Sequence, residues 1–180
     1  MRREIIEKIE IPEGIETEIT GEIIKIKKNG KEMTRKYSGF EAKRENNFLI
    51  LECKKATKTE KREIKTLAAH IRNILKGFHS KFEYNLQICA VHFPMSVNFD
   101  KAENKLIIKN FLGEVKQRTA KIVPGAEVKI EKEIITVSGE NKEIAGQTAA
   151  NIEKATRITG RDRRIFQDGI FIIKKPGDKD

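Results

Sequence analysis

The segment Thr66-Leu-Ala-Ala-His-Ile71 and its counterpart Gln147-Thr-Ala-Ala-Asn-Ile152 decide the fold, because they mark an internal repeat. Two more pairs of similar segments stand in the same order. Residues 21–31 resemble residues 104–114, and residues 48–51 resemble residues 134–137. Across the three pairs, the second segment follows the first by 81 to 86 residues. Chance similarity between β-rich segments is the alternative explanation. Three blocks at nearly constant spacing favour a duplicated structural unit instead.

Each half of the chain contains one amphipathic helix pattern after its strand patterns. Thr57 and Glu60 have the spacing of a capping box, and apolar residues then recur every three or four positions from Ile64 to Phe78. In the second half, Asn141 is the expected N-cap. The buried face of that second helix is expected to contain Ile144, Thr148, Ala149, Ile152 and Ala155.

Short alternating or apolar runs bounded by Gly, Asn or Pro predict the strands. They cover residues 15–19, 23–27, 82–91, 96–99, 106–110, 127–130 and 170–173, and an Asn29-Gly30 turn follows the second run. Strands followed by a helix, twice, predict an α+β protein of two tandem related domains. Each domain is expected to be a small, mainly antiparallel sheet packed with one helix. The expected boundary separates an N-terminal domain, residues 1–91, from a C-terminal domain, residues 92–180.

The charge of the chain points to a polyanionic partner, because the formal net charge is +10 and the pI is near 9.6. The charge is segregated: residues 1–22 sum to −4, whereas residues 25–76 sum to +10. No apolar run reaches the ~18 residues of a membrane span, and the first residues lack the apolar core of a secretory signal. We therefore expect no membrane partner, and reduced thiols at Cys53 and Cys89.

The densest basic stretch is residues 154–175, where seven Lys and Arg accompany two Asp. Arginine meets phosphate oxygens with a planar, bidentate fork, so we expect this cluster to contact phosphate. A favourable interaction with the helix dipole would explain the first arginine, but not a pair directly before a strand. The expected RNA-binding residues are Arg157, Arg161, Arg163 and Arg164, with a weaker group at Lys116, Arg118 and Lys121. For the lysines at 25, 27, 28 and 31, a solvated strand face and RNA contact are equally good interpretations.

Catalytic and metal-binding motifs do not occur in the sequence. None of the three histidines, His70, His79 and His92, stands at metal-ligand spacing from a Cys or Asp, and no phosphate-binding loop or zinc motif is present. Asp168 could serve as a Mg²⁺ ligand, but Asp168-Gly169 is more typical of a hairpin turn. Phe166 and Phe171 flank that turn. Exposed, they could stack on bases, but the spacing of Phe166 from Ile170 favours a core-facing strand. We predict no cofactor and no enzymatic activity.

Several segments resemble one known family. Arg164-Ile-Phe-Gln-Asp-Gly-Ile-Phe171, preceded by Gln147-Thr-Ala-Ala-Asn-Ile-Glu-Lys-Ala-Thr156, is similar to the C-terminal signature of the sixth protein of the large ribosomal subunit, in its archaeal and eukaryotic branch. Asn110-Phe-Leu-Gly-Glu114 and Ile11-Pro-Glu-Gly14 also resemble that family. The resemblance covers essentially the whole chain. Phe171 stands where the family commonly has a Tyr, which removes a hydroxyl and keeps the ring.

This resemblance implies two tandem domains of related fold and a structural role in the cytoplasmic ribosome. The implied partners are large-subunit rRNA near the sarcin–ricin region and neighbouring ribosomal proteins near the stalk base, without a membrane or an obligate homo-oligomer. The RNA-facing residues that it implies are Arg157, Arg161, Arg163, Arg164, Lys174 and Lys175. The residues alone leave two alternatives open: a metal-dependent nucleic-acid-processing enzyme that uses Asp168, and a free-standing RNA-binding module.

Overall fold

The structure, a computed structural model, describes residues 3–28 and 30–178, so Asn29 of the predicted Asn29-Gly30 turn lies outside the described residues. The chain divides into two units, residues 1–79 and residues 80–180. Within the described residues, each unit contains one α-helix and two sheets, and all strand pairs are antiparallel. This confirms the predicted α+β class, although each unit has two sheets where one was predicted.

Strands β1 to β6 and helix α1 form the described part of the first unit. Their bounds are β1 (Arg3–Glu10), β2 (Glu16–Thr20), β3 (Ile23–Lys28), β4 (Lys31–Lys36), β5 (Glu41–Glu45), β6 (Phe48–Ala56) and α1 (Lys58–Gly77). One sheet has the strand order β1-β6-β5 and the other β2-β3-β4. Ile24 and Ile26 of β3 are buried in the same core as Leu49 and Leu51 of β6, so both sheets contribute to one hydrophobic core.

Helix α1 begins at the predicted cap. The Thr59 N–H donates to the Thr57 hydroxyl oxygen at 3.3 Å, and the Thr57 N–H donates to the Glu60 carboxylate at 2.8 Å. These bonds satisfy amides that have no partner inside the helix. The buried residues of α1 are Ile64, Leu67, Ala68, Ile71, Ile74, Leu75 and Gly77. The capping box and the apolar face predicted for this helix are therefore confirmed.

Strands β7 to β13 and helix α2 form the described part of the second unit. Their bounds are β7 (Phe82–Cys89), β8 (Ser96–Asp100), β9 (Lys105–Lys109), β10 (Arg118–Lys121), β11 (Glu127–Glu131), β12 (Ile134–Gly139), α2 (Lys142–Ala155) and β13 (Gly169–Lys174), with a 3₁₀ turn at Phe111–Gly113. The sheets have the orders β10-β9-β8 and β11-β12-β7-β13. Helix α2 begins at the predicted cap, because the Asn141 side chain accepts the Glu143 N–H at 3.0 Å.

The two units repeat one topology. Strands β3 and β9, which carry the similar segments 21–31 and 104–114, are the middle strands of their three-stranded sheets. Strands β6 and β12 each precede the helix of their unit, and the order β1-β6-β5 in the first unit corresponds to β7-β12-β11 in the second. The predicted duplication is thus visible strand by strand. Strand β13 alone has no counterpart among the described residues of the first unit.

The division at residue 79 precedes the boundary that we predicted near Val91. Strand β7 causes the difference, because it pairs with β12 on one side and with β13 on the other, inside the sheet of the second unit. Its Leu86 is fully buried in the core of that unit. An alternating pattern reveals a strand but not the sheet that it joins. The predicted boundary at residue 91 left this strand in the N-terminal domain, whereas it pairs within the second unit.

We expect a fragment of residues 80–180 to unfold cooperatively, because it keeps β7 between β12 and β13. A fragment of residues 92–180 should show no cooperative transition, because removing β7 leaves the apolar faces of both neighbouring strands without a partner. Thermal unfolding followed by circular dichroism measures the difference. A cooperative transition in the shorter fragment would instead support a domain boundary at Val91.

Candidate nucleic-acid interface

The loop between α2 and β13 presents the predicted arginine cluster. We call residues 156–168 the arginine loop. The exposed side chains of this loop include Arg157, Arg161, Arg163 and Arg164. The Asp162 carboxylate accepts the Arg164 N–H at 2.9 Å, and the Asp162 carbonyl accepts the Phe166 N–H at 3.0 Å. These two hydrogen bonds form a local turn that fixes the backbone of residues 162–166. The arginine side chains, which repel one another, therefore occupy one short loop with a fixed backbone.

Asp168 anchors the C-terminal end of the arginine loop. Its side chain is 3% exposed, and one carboxylate oxygen accepts the N–H groups of Val91 and His92 at 2.7 and 2.9 Å. The other oxygen lies 2.5 Å from His92 Nδ1. Burial disfavours the ionised carboxylate, but the bonds from His92 and Val91 outweigh it and hold the pKa of Asp168 below its usual range. The predicted hairpin turn at Asp168-Gly169 is wrong, because the carboxylate is occupied with a segment 76 residues away and Gly169 already pairs with Cys89.

A stack of three side chains continues from this anchor to the arginines. The His92 and Phe166 rings lie 5.0 Å apart, and the Arg161 guanidinium carbon lies 4.9 Å from the centre of the Phe166 ring. Phe166 is half-buried in the loop, outside β13, so it is not part of the core-facing strand that was predicted. A guanidinium that stacks through its face keeps its N–H edge available for hydrogen bonds. The contact with the Phe166 ring therefore holds the Arg161 guanidinium near the ring without a hydrogen bond between them.

Arg118 connects β10 to the N-terminal end of the arginine loop. Its guanidinium makes a bidentate pair with Glu114 at 2.8 and 2.6 Å, and donates to the carbonyl oxygens of Ala155 and Arg157 at 3.1 and 3.2 Å. The guanidinium carbon also lies 4.3 Å from the centre of the Phe111 ring. Most donors of Arg118 are thus used within the unit. The structure gives this residue, which was predicted to bind RNA, a role in positioning the loop.

Two arginines, Arg118 and Arg161, lower the pKa of the Glu114 carboxyl group. The hydrogen bond from Arg118 lowers the pKa of Glu114 most strongly, burial opposes this shift, and the charges of Arg118 and then Arg161 lower the pKa further. The positive charge of Arg161 therefore favours the ionised form of Glu114, as Arg118 does. Glu114 compensates part of the positive charge of this unit and keeps Arg118 directed inward.

Helix α2 also binds the outer edge of β13. The buried Thr156 hydroxyl accepts the Ile170 N–H at 2.9 Å, and the Glu153 carboxylate accepts the Ile172 N–H at 3.1 Å. These bonds replace the partners that a further strand would provide. The arginine loop is therefore held at both ends, by helix α2 and by strand β13.

An open cleft of about 780 Å³ lies beside the arginine loop. Cations and aromatic rings both line it; the lining includes Lys154, Arg157, Arg163, Gln167, Phe166 and Phe171. The arginines at 157 and 163 are thus brought to one concave surface, whereas nothing places Arg164 on it. A concave basic surface increases the local concentration of anions.

The remaining predicted residues are exposed but lie outside the arginine loop. Lys174 ends β13, and Lys175 follows it in a turn where its N–H donates to the Asp178 carboxylate at 2.8 Å. Lys116 lies between the 3₁₀ turn and β10, next to the fully exposed Val115. In the first unit, Lys25 and Lys27 make ion pairs with Glu32 and Glu18 at 3.7 and 3.0 Å, which is typical of a solvated strand face.

Sequence reasoning did not find the anchor between His92 and Asp168 or the pair between Arg118 and Glu114. His92 and Asp168 are 76 residues apart, and no local spacing connects them. Glu114 and Arg118 are four residues apart, a distance that carries meaning only on a helix, and the intervening residues are not helical. The sequence feature that could have indicated the anchor is Asp168 itself, because it is an acidic residue within a basic segment.

Comparison with known proteins identifies the family. A model of the family described as Ribosomal protein L6 matches residues 93–169. The Large ribosomal subunit protein uL6 of Methanococcus vannielii is 46% identical over 175 residues, which cover 96% of this chain and 95% of the relative. The uL6 proteins of Methanobrevibacter smithii and Methanothrix thermoacetophila are 43% and 39% identical, over 95% and 97% of this chain and 96% and 99% of the relatives. The chain belongs to the ribosomal protein L6 family.

Membership of this family confirms the predicted resemblance and the predicted ribosomal, cytoplasmic location. Proteins of the family are structural components of the ribosome and not enzymes, which excludes the nuclease alternative. Within the described residues, no group of three His, Cys, Asp or Glu side chains is placed to hold a metal ion. The same part of the chain has no helix long and apolar enough to cross a membrane.

Replacing Asp168 with Asn should lower the free energy of unfolding at pH 7 by about 1–3 kcal/mol, because the amide cannot accept all the bonds of the buried carboxylate. Since folding lowers the pKa of Asp168, its contribution is complete above the usual carboxyl pKa and disappears as the pH falls through the folded-state value. The difference between Asp168→Asn and the unmodified protein should therefore shrink below about pH 4. Urea unfolding from pH 7 to pH 3 measures it. The control Asp178→Asn, at an exposed position, should differ by less than about 0.5 kcal/mol.

Replacing Arg118 with Lys should lower the free energy of unfolding by about 1–3 kcal/mol, because an ammonium group cannot reproduce the bidentate pair and the two carbonyl contacts. Urea unfolding at neutral pH measures the loss. The matched control is Lys116→Ala, an exposed cation two positions away, which should change stability by less than about 0.5 kcal/mol. Equal stability of Arg118→Lys and the unmodified protein would contradict the positioning role.

Proposed function

We propose that this protein is a non-catalytic structural component of the large ribosomal subunit that binds large-subunit rRNA through its second unit. The names of the relatives describe large-subunit proteins. The observation that carries the proposal is the arginine loop, in which four exposed arginines occupy a segment that Asp168 and Arg118 hold at its two ends. In the proposal the loop lies against phosphates of a folded rRNA surface.

The anchoring of the loop supports a rigid phosphate-binding surface. Ordering a flexible loop on binding costs conformational entropy, about 1–2 kcal/mol for each backbone position that becomes fixed. Here the backbone is already held by the turn at Asp162, by the bonds to Asp168 and by the two carbonyl bonds to Arg118. Binding would then use the arginines chiefly to neutralise phosphates and release counterions.

The contributing residues divide into two groups by their contacts. We assign phosphate contact to the exposed side chains Arg157, Arg161, Arg163, Arg164, Lys174, Lys175 and Lys116. Arg118 contributes indirectly, by fixing the carbonyls of Ala155 and Arg157 at the start of the loop. Phe166 already contacts the His92 ring and the Arg161 guanidinium within the unit. Shape and charge would therefore dominate recognition.

The finer placement follows from the family resemblance. We propose that the second unit contacts rRNA near the sarcin–ricin region and that its neighbours are ribosomal proteins near the stalk base. An rRNA stem offers phosphates on two strands across a groove, and the cleft beside the loop presents Arg157 from the start of the loop and Arg163 from its middle.

A salt titration of RNA binding tests the proposal. With about six neutralised phosphates, the log–log slope of affinity against salt for a large-subunit rRNA fragment that contains the sarcin–ricin stem should be near −5. The variant Arg161→Ala/Arg163→Ala/Arg164→Ala should have a slope shallower by about one for each arginine. The matched control is Lys54→Ala/Lys55→Ala/Lys58→Ala, which removes the same charge from exposed positions of the first unit and should leave the slope unchanged.

A second RNA separates the proposal from its alternative. An unrelated folded RNA of equal length should bind more weakly than the rRNA fragment, and the arginine variant should lose this preference. Equal affinity for both RNAs would favour a free-standing RNA-binding module. A slope shallower than about −2 for the unmodified protein would reject phosphate neutralisation by the loop.

A further inference from the structure

The internal repeat shows that the first unit lacks a strand that the second unit has. In the second unit, β7 lies between β12 and β13. Strand β1 is the counterpart of β7, but it pairs with β6 alone, and no other strand of the described chain lies along its outer edge. The reason is the connectivity: the chain leaves α1 and enters β7, whereas it leaves α2 and returns as β13. The sheet of the first unit is thus one strand shorter.

The outer edge of β1 presents backbone groups at alternate residues. The Ile11 N–H donates to the Asn47 carbonyl at 2.7 Å, and the register pairs Ile9 with Leu49. In an antiparallel pair, inward and outward backbone groups alternate along the strand. The N–H and C=O groups of Ile6, Lys8 and Glu10 therefore point away from β6. Among the described residues, no backbone hydrogen bond from these three N–H groups to another segment occurs.

Proteins usually protect such edges, and the second unit does. The outer N–H groups of β13 donate to the side chains of Glu153, in helix α2, and of Thr156, the residue that follows the helix. Between Ile5 and Glu10, β1 has no proline and no register shift, and Ile6 is 49% exposed. The features of β1 that deter pairing are its charged side chains, Lys8 among them, and the register shift between Arg3 and Ile5, which precedes the segment from Ile6 to Glu10. A strand of this length with a free edge is suited to accept another strand.

The charge around β1 decides what kind of strand it can accept. Residues 4–22 contain seven Glu and one Lys, in a protein whose net charge is +10. On the solvent-facing side of β1, Glu4 and Glu10 lie on either side of Ile6 and Lys8, and all four are exposed. Glutamates repel the phosphates of RNA and attract lysine and arginine. The edge is therefore complementary to a basic protein segment.

We propose that the outer edge of β1 binds an extended basic segment of a neighbouring protein, which completes the sheet of the first unit as its fourth strand. Lysines or arginines at alternate positions of the segment would lie beside Glu4 and Glu10 on the solvent-facing side, and the apolar residues between them would lie on the opposite side of the sheet. Backbone bonds to Ile6, Lys8 and Glu10 supply affinity, and the side-chain pattern supplies specificity. This surface lies on the unit without the arginine loop, so it extends the proposed function to a protein partner.

The test uses the full-length protein and a capped synthetic peptide of alternating lysine and valine. Amide exchange followed by NMR should slow about tenfold or more at Ile6, Lys8 and Glu10 when the peptide is added, because these amides gain a partner. The amides of Glu7 and Ile9, already paired with β6, should change little. A peptide of alternating glutamate and valine is the charge control and should have no effect.

Two variants at one position separate backbone pairing from charge. Lys8→Pro removes an outward N–H and no bond to β6, so it should weaken binding of the lysine peptide about tenfold or more by fluorescence anisotropy. Lys8→Thr keeps the N–H and should bind at least as well as the unmodified protein. The melting temperature of Lys8→Pro checks that the unit remains folded, and the exchange data on the unmodified protein are independent of that variant.

The outcomes that would overturn the proposal are distinct. Unchanged exchange at the three outward amides would reject strand addition, and so would equal binding by Lys8→Pro and Lys8→Thr. Protection that is present without peptide and grows with protein concentration would mean that a second copy of the chain occupies the edge. Protection by an rRNA fragment in place of the peptide would assign the edge to RNA. None of these results bears on the arginine loop, whose salt-dependent binding is measured separately.

Discussion

The buried carboxylate of Asp168 accepts two consecutive amides, those of Val91 and His92, and the second unit depends on this contact. It joins the segment that follows β7 to the residue that precedes β13, at the point where Gly169 begins to pair with Cys89. An ionised group in this position is stable only while its donors are present. The contact therefore fixes where β13 starts, and the position of β13 determines where the arginine loop must end.

The arginines of the second unit form two groups: Arg118 makes its contacts inside the unit, whereas the arginines of the loop are exposed to solvent. Arg118 is compensated by Glu114 and bound to backbone carbonyls, so its charge is used to hold the fold. The arginines of the loop are exposed, and their mutual repulsion is tolerated because hydrogen bonds at both ends of the loop determine its path. Such an arrangement keeps an unfavourable concentration of charge in place before a polyanion arrives. In the proposed function, RNA binding would rest on the exposed arginines of the loop, whereas Arg118 stabilises the fold.

The internal duplication gives two units that share a strand order but differ in the element that follows the helix. In the second unit the helix is followed by a strand that closes the sheet, and side chains of the helix cover the outer edge of that strand. In the first unit the chain continues into the next repeat, and β1 remains an edge strand with an acidic surface. The same fold can therefore present a basic loop in one copy and an open sheet edge in the other. Which surface a copy presents follows from its connectivity and its charge.

The sequence by itself determined the elements that depend on neighbours in the chain. The capping box at Thr57, the cap at Asn141, the apolar helix faces, the repeat and the exposed arginines all follow from local spacing and residue type. The tertiary structure alone decided that β7 belongs to the second unit, that Asp168 is a buried anchor and not a turn residue, and that Arg118 is directed inward. These features depend on partners 37 to 89 residues away. Periodicity records which face of an element is buried, whereas pairing across the fold depends on which distant groups can satisfy a buried charge or an open strand edge.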